Sequence, residues 1–240
     1  MYCAVLVVLL LVSSLDQCLL LVNANQTWIW QGALMPNSIR FAVKTDQIAE
    51  GDEFRLVAAV EGKSNLTFAR LLPKTALSYA DEDFKKGLEV DVGFNQSTRN
   101  FIRSFQLLLE GLEPDTPYVW SAGPGIDGRF RTPPKIGTPF NFTFAFGSCA
   151  DNDSNHVVFS LIPENQRPLF FVHMGDLHYG NLHEDDFYQY SRMYDRTLTR
   201  PNQAVMFRNL PTVYMWDDHD YGPNSEDESL NRMIPCFLEN

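Results

Sequence analysis

The hydrophobic pattern changes character twice along the chain. Apolar residues run unbroken from Ala4 to Val12 and resume from Cys18 to Val22. From 28 to 133 the pattern is one of short runs, such as "SIRFAVKT" at 38–45 and "FRLVAAVEG" at 54–62, separated by polar, Gly-containing turns. Such runs predict β-strands. "RSFQLLLEGLEPDTPYVWSAG" and "GRFRTPP" continue them, so this region reads as all-β. "RTPPKIGTP", residues 131–139, carries three prolines and reads as a linker. Beyond it one design appears three times. "FNFTFAFGSCAD", "RPLFFVHMGDLHYG" and "LPTVYMWDDHDYG" are hydrophobic runs that end in Gly, Cys, Asp or His. The stretch 184–209 between the second and third predicts a helix broken at Pro201. Strands alternating with helices predict a mostly parallel sheet. Active sites of such sheets form beyond the carboxyl ends of the strands, so the three polar tips are expected on one edge.

The first apolar region has the build of an export signal. Val22-Asn23-Ala24 resembles a peptidase site, which makes 1–24 a cleaved signal peptide; Asp16 and Gln17 interrupt the stretch and disfavour the alternative, a membrane anchor. Asn25, Asn65, Asn95, Asn141 and Asn152 each begin an Asn-X-Ser/Thr sequon, which predicts an N-glycosylated protein of the secretory pathway. Loss of the signal would remove Cys3 and Cys18 and leave Cys149 and Cys236. These two could bridge each other, or Cys149 could serve another purpose. The formal net charge of −11 argues against nucleic-acid or anionic-membrane binding. An anionic substrate would need local cations.

Leu112-Glu113-Pro114-Asp115-Thr116-Pro117-Tyr118 resembles the corner of a fibronectin type III-like sandwich, where a Leu-x-Pro turn leads into a strand whose Tyr packs back on the corner. On that resemblance, residues 28–133 form a fibronectin type III-like N-terminal domain. The plainer reading is a Pro-containing hairpin.

The third tip, "WDDHDYG", sets Asp217, Asp218, His219 and Asp220 side by side. Adjacent carboxylates repel, and partly buried ones cost free energy unless a cation or hydrogen bonds compensate. The segment is therefore either a solvated turn or part of a cation site. The other tips add Cys149, Asp176 and Tyr179. Thiolate, phenolate, carboxylate and imidazole are all metal ligands, and hard oxygens suit a highly charged cation. Each residue also has a plain structural reading. Cys149 could be a buried thiol, Asp176 a helix N-cap and Tyr179 a packing aromatic. Asp217 and Asp220 read as solvated or supporting acids. His173 reads as a satisfied core histidine. His156, His178 and His183 read as loop or surface residues, with His178 close enough to the Gly-Asp motif to reach substrate.

"FGSCAD", "HMGDLHYG" and "WDDHDYGPN", in that order, resemble the PhoD-like alkaline phosphatases and phosphodiesterases of the metallophosphatase superfamily. The resemblance runs from about residue 30 to the end. It implies a fibronectin type III-like sandwich followed by the N-terminal part of an α/β (α/β/β/α) metallophosphatase core, residues 140–240. It implies iron and calcium as cofactors: Cys149 and Tyr179 on iron, Asp176 bridging the two metals and Asp218 on the second, with Asn224 near the calcium. His219 matches the catalytic histidine, and Asp217 supports from behind. The implied activity is hydrolysis of phosphate mono- or diesters by a metal-activated hydroxide. Family members continue well past the third motif and bring further ligands, so the resemblance implies a fragment with an incomplete site, exposed apolar surface and little activity on its own. Two alternatives remain at this level: a non-catalytic secreted protein with a remnant phosphatase core, and hydrolysis of a sulfate or carboxylic ester by the same metal pair. The sequence does not address oligomeric state.

Overall fold

The computed structural model describes residues 27–45, 54–63, 68–72, 94–95, 100–101, 103–151, 153–165, 167–183 and 186–223. The signal-like segment, Asn224 and Cys236 lie outside them.

Alternation of apolar and polar residues builds two antiparallel sheets. In the first, β1 (Trp28–Met35) pairs with β2 (Ser38–Thr45), which pairs with β7 (Arg103–Glu110). In the second, the order is β4 (Phe68–Leu72), β3 (Phe54–Val60), β8 (Pro117–Ser121), β9 (Asp127–Arg131). A two-residue pair, β5 (Phe94–Asn95) and β6 (Asn100–Phe101), stands apart from both. Every second residue points into one shared core: Ile39, Phe41 and Val43 from β2; Phe54, Leu56 and Ala58 from β3; Phe105, Leu107 and Leu109 from β7; Tyr118 and Trp120 from β8; Phe130 from β9. Burying each large side chain contributes about 1.5–3 kcal/mol, so this double layer carries much of the stability of the region. Tyr118 does fold back on its corner. Its hydroxyl, fully buried, accepts a hydrogen bond from the Glu113 backbone N–H at 2.8 Å.

The other half is a three-stranded parallel sheet in the order β10 (Ala145–Gly147), β11 (Phe171–Met174), β12 (Thr212–Met215). The one-turn helix α1 (Val158–Leu161) and the longer α2 (Phe187–Leu198) and α3 (Pro201–Asn209) accompany it. The helical stretch divides at Pro201, which occupies the first turn of α3, where its missing N–H costs nothing. The strand expected from Phe140 contracts to Ala145–Gly147, which among the described residues pairs with β11 alone, although the Leu169 N–H still reaches the Thr143 carbonyl at 2.8 Å.

The two faces of this sheet differ. Phe171 and, on the helices, Leu198, Met206 and Phe207 are buried in a second core, with Ala145 and Tyr214 packed against it. The alternate residues Phe146, Met174, Val213 and Met215 are exposed. Beside them Phe142 and Phe144 pack their rings on Phe170 at centroid distances of 5.9 and 5.5 Å. The expected exposed apolar surface is thus a defined sheet face.

The halves meet through the outer side of β1. Trp28 belongs to the second core. Trp30 stacks on Phe207 at 4.9 Å and meets Tyr214 edge-on at 5.4 Å. The fully buried Gln31 donates through Nε2 to the carbonyls of Arg129 (3.0 Å) and Arg208. Approach is so close at Gly128 that a Cβ there would lie 1.9 Å from the Arg208 carbonyl oxygen. Among the described residues no helix is long and apolar enough to cross a membrane.

Candidate metal centre

Each parallel strand delivers its tip to the same edge. After β10 the chain turns at Cys149, whose N–H donates to the Gly175 carbonyl at 3.3 Å and so ties the first tip to the second. The following loop is held across the helices. Asp153 pairs with both Arg196 and Arg200, and Asn155 receives the Asn202 N–H at 2.8 Å. The two guanidiniums, Arg196 first, hold the Asp153 carboxyl below the usual carboxylate range. After β11, Gly175 (φ +89°) lets the chain pass against the third tip, for a Cβ there would lie 2.5 Å from that of Asp217. Cys149 (φ +60°) and Asp176 (φ +54°) both occupy the left-handed region without being glycine. That conformation costs about 1–3 kcal/mol and persists where surrounding structure over-determines it, often at functional sites.

After β12 the acidic run forms neither a strand end nor a solvated turn. It starts a one-turn helix, α4 (Asp218–Tyr221), with Asp217 as N-cap in a reciprocal capping box with Asp220. Asp217 is exposed, but Asp220 is buried, contrary to the solvated reading. Its carboxylate accepts the N–H groups of Asp176 (2.8 Å), Leu177 (2.8 Å) and Asp217 (2.9 Å). Burial raises the Asp220 carboxyl, and these backbone bonds oppose that rise.

These loops bring Cys149, Asp176, Tyr179, Asp218 and His219 together. Asp176 is at the centre. Its Oδ2 accepts from the Tyr179 hydroxyl at 2.9 Å and from the Cys149 thiol at 3.6 Å. Its Oδ1 is buried with no hydrogen-bond partner among the described residues. Asp176, Asp218 and His219 each offer a ligand atom within 4.8 Å of the others. The Tyr179 and His219 rings lie 4.3 Å apart, and His219 Nδ1 is likewise buried without a partner. Burial, with Cys149 and Asp176 beside it, pushes the Tyr179 phenol well above the ordinary tyrosine range. With those partners it is a donor; an adjacent cation reverses that balance. A partnerless buried carboxylate oxygen next to a thiol, a phenol, a second carboxylate and an imidazole fits a metal ion, which compensates such buried charge.

The remaining histidines sort differently. His173 is buried, as expected of a core residue, with its ring 5.5 Å from Tyr214, but it is not fully satisfied: its Nδ1 has no hydrogen-bond partner among the described residues. His178 is a correction. It is wholly buried and does not lie on the surface. The Tyr194 ring covers it edge-on at 4.9 Å, and its Nδ1 accepts the Gly180 N–H at 3.3 Å. Burial, with His219 nearby, lowers its pKa to about 4. His156 and His183 are exposed. Cys149 is an exposed free thiol, not a buried one. Asp176 caps no helix among the described residues. Sequence reasoning missed the burial of Asp220; its signal was an acid three residues after an Asp N-cap. A cavity of about 640 Å³ lies elsewhere, between β9 and the Phe140–Phe142 segment, and none of the five tip residues lines it.

No family model and no curated protein matches the sequence. Solved structures do match. The chain is similar to the structure of PhoD, with a TM-score of 0.55 and 15% identity over 81% of this chain and 39% of that one. The structure of purple acid phosphatase PPD1 from yellow lupin (Lupinus luteus) seeds aligns with a TM-score of 0.49 and 12% identity, over 80% of this chain and 34% of that one. The chain therefore spans about two-fifths of the length of PhoD, and over that span it has the PhoD fold.

Proposed function

We propose that this chain carries the first part of a PhoD-like metallophosphatase site, which hydrolyses phosphate mono- or diesters. The observation that carries the reading is Asp176, one carboxylate oxygen facing Cys149 and Tyr179, the other buried without a partner, with Asp218 and His219 beside it. In this reading Cys149, Asp176, Tyr179 and Asp218 hold metal, iron and calcium by the motif resemblance. Bound metal ions supply charge to the phosphoryl oxygens and lower the pKa of water. His219 hands a proton to the leaving oxygen, positioned by α4 and the Tyr179 ring. The short, left-handed turns at Cys149 and Asp176 fix these donors before substrate arrives, the kind of preorganisation that electrostatic catalysis needs.

The same reading takes residues 28–133 as a fibronectin type III-like domain, supported by the two-sheet core and the Tyr118 corner, and 140–240 as a partial phosphatase core. It takes 1–24 as a signal peptide and the protein as secreted or in the secretory pathway and N-glycosylated; the sequon Asn141 is exposed. Nucleic acid is not an expected partner. The 240 residues alone are expected to be nearly inactive. The alternative reading is a non-catalytic secreted protein with a remnant core, which protein that takes up no metal would favour.

Side-by-side assays of para-nitrophenyl phosphate, bis-para-nitrophenyl phosphate and para-nitrophenyl sulfate, on the longest product of the gene and with chelator controls, separate these. Chelator-sensitive phosphate release supports the phosphatase. Release from the sulfate ester alone redirects the chemistry, and silence on all three substrates supports the remnant.

A further inference from the structure

We propose that Asp220 is the positioning residue of this site: its buried carboxylate holds the Asp176 turn against the Asp218–His219 turn and so sets the geometry in which a metal is bound. The inference rests on the metal reading above. Asp220 Oδ2 is shared between Asp176 N–H (2.8 Å) and Asp217 N–H (2.9 Å), and Oδ1 takes Leu177 N–H (2.8 Å). One side chain thus satisfies backbone donors from two loops that are 41 residues apart in the chain, Asp176 and Asp217. Both donor loops carry groups proposed to bind metal. Asp176 needs such a hold, because its left-handed backbone is not one an Asp adopts without cost.

The carboxylate is itself fixed. It sits in α4 three residues after the N-cap and closes the capping box from within. The Tyr214 phenol faces it, and Tyr214 in turn contacts Trp30 of the first sheet. The Tyr190 hydroxyl donates to the next carbonyl, that of Tyr221, at 2.6 Å. Asp220 offers no atom to the cluster formed by Asp176, Asp218 and His219, so its contribution is to placement and not to ligation. Partners of metal ligands contribute to affinity in this way, typically about 10–100-fold.

The test compares the full protein with Asp220→Asn and Asp220→Glu, metal-free and titrated with Mn²⁺. Hydrogen exchange of metal-free protein reads the hold directly. In Asp220→Asn the amides of Asp176 and Leu177 should exchange faster while peptides across β7 and β8 stay protected, which also shows that the variant folds. Mn²⁺ affinity, by calorimetry, should fall at least about tenfold in Asp220→Asn and recover in part in Asp220→Glu. Unchanged exchange at 176–177 overturns the proposal, as does Mn²⁺ affinity within twofold of wild type. Wild-type protein that takes up no Mn²⁺ contradicts the metal reading instead, and the exchange arm still decides whether Asp220 holds the turn.

Discussion

Lys44 on β2 and Asp195 on α2 join the two halves of the molecule, with Nζ 2.6 Å from Oδ2. The same lysine donates to Ser191 Oγ at 2.7 Å, and Trp28 Nε1 donates to the other oxygen of Asp195 at 2.8 Å. Both side chains are largely shielded from water, so their charges depend on each other. Asp195→Ala strands a buried ammonium and should cost roughly 3 kcal/mol, whereas replacing both residues, Lys44→Met with Asp195→Leu, should recover most of that. Denaturant unfolding measures it. A single substitution costing under about 1 kcal/mol would mean the pair is solvated.

Gly128 should tolerate no side chain. Its Cβ would meet backbone, the Arg208 carbonyl, and backbone cannot swing aside. Gly128→Ala is expected to cost about 1–3 kcal/mol and to loosen the junction. Gly32→Ala, whose Cβ would sit 3.2 Å from the Thr212 carbonyl oxygen, should cost less. Thermal melts of the two variants give the ranking, and the reverse order refutes the packing described for β1 and β9.

Tyr118→Phe removes one oxygen and leaves the Glu113 N–H without its acceptor. The expected loss is about 1–3 kcal/mol with the fold retained. A neutral result in chemical denaturation would show that water replaces the phenol at this corner.

His173 makes stability depend on pH. Burial lowers its pKa from 6.5 to about 4. The unfolded chain therefore binds a proton that the folded chain refuses between those values. Its contribution is complete above about pH 6.5 and lost as pH falls toward 4, by about 3 kcal/mol at most. His173→Phe keeps an aromatic ring in place and should reduce, without abolishing, the acid dependence between pH 6.5 and 4, because buried His178, also lowered to about 4, still titrates in that window. Identical pH profiles would contradict this.

Much of the site was legible in the sequence, because each tip follows a hydrophobic run and parallel strands must bring their ends to one edge. Cys149, Asp176, Tyr179, Asp218 and His219 do meet there. What a sequence cannot state is which outer face another layer will cover. Trp28, Trp30 and Gln31 fall at the start of the region read as all-β, and only the docked helices make them an interface. The same limit hid Asp220 and His178. Charge beside charge reads as solvated or supporting without saying which, and a histidine beside Gly-Asp reads as available. Three backbone N–H groups bury the first, and the Tyr194 ring covers the second. Phe142 and Phe144 are β-like in pattern but lie outside β10, with their rings packed on Phe170.

The central claim is that Asp176 and its neighbours bind metal. The most direct test is the metal content of purified full protein by mass spectrometry of the elements, in wild type and Asp176→Asn. Wild type should carry close to stoichiometric iron or another metal, and the variant should lose most of it with folding retained. Wild-type protein that purifies without metal and takes none up, or a variant with the same content as wild type, would contradict it.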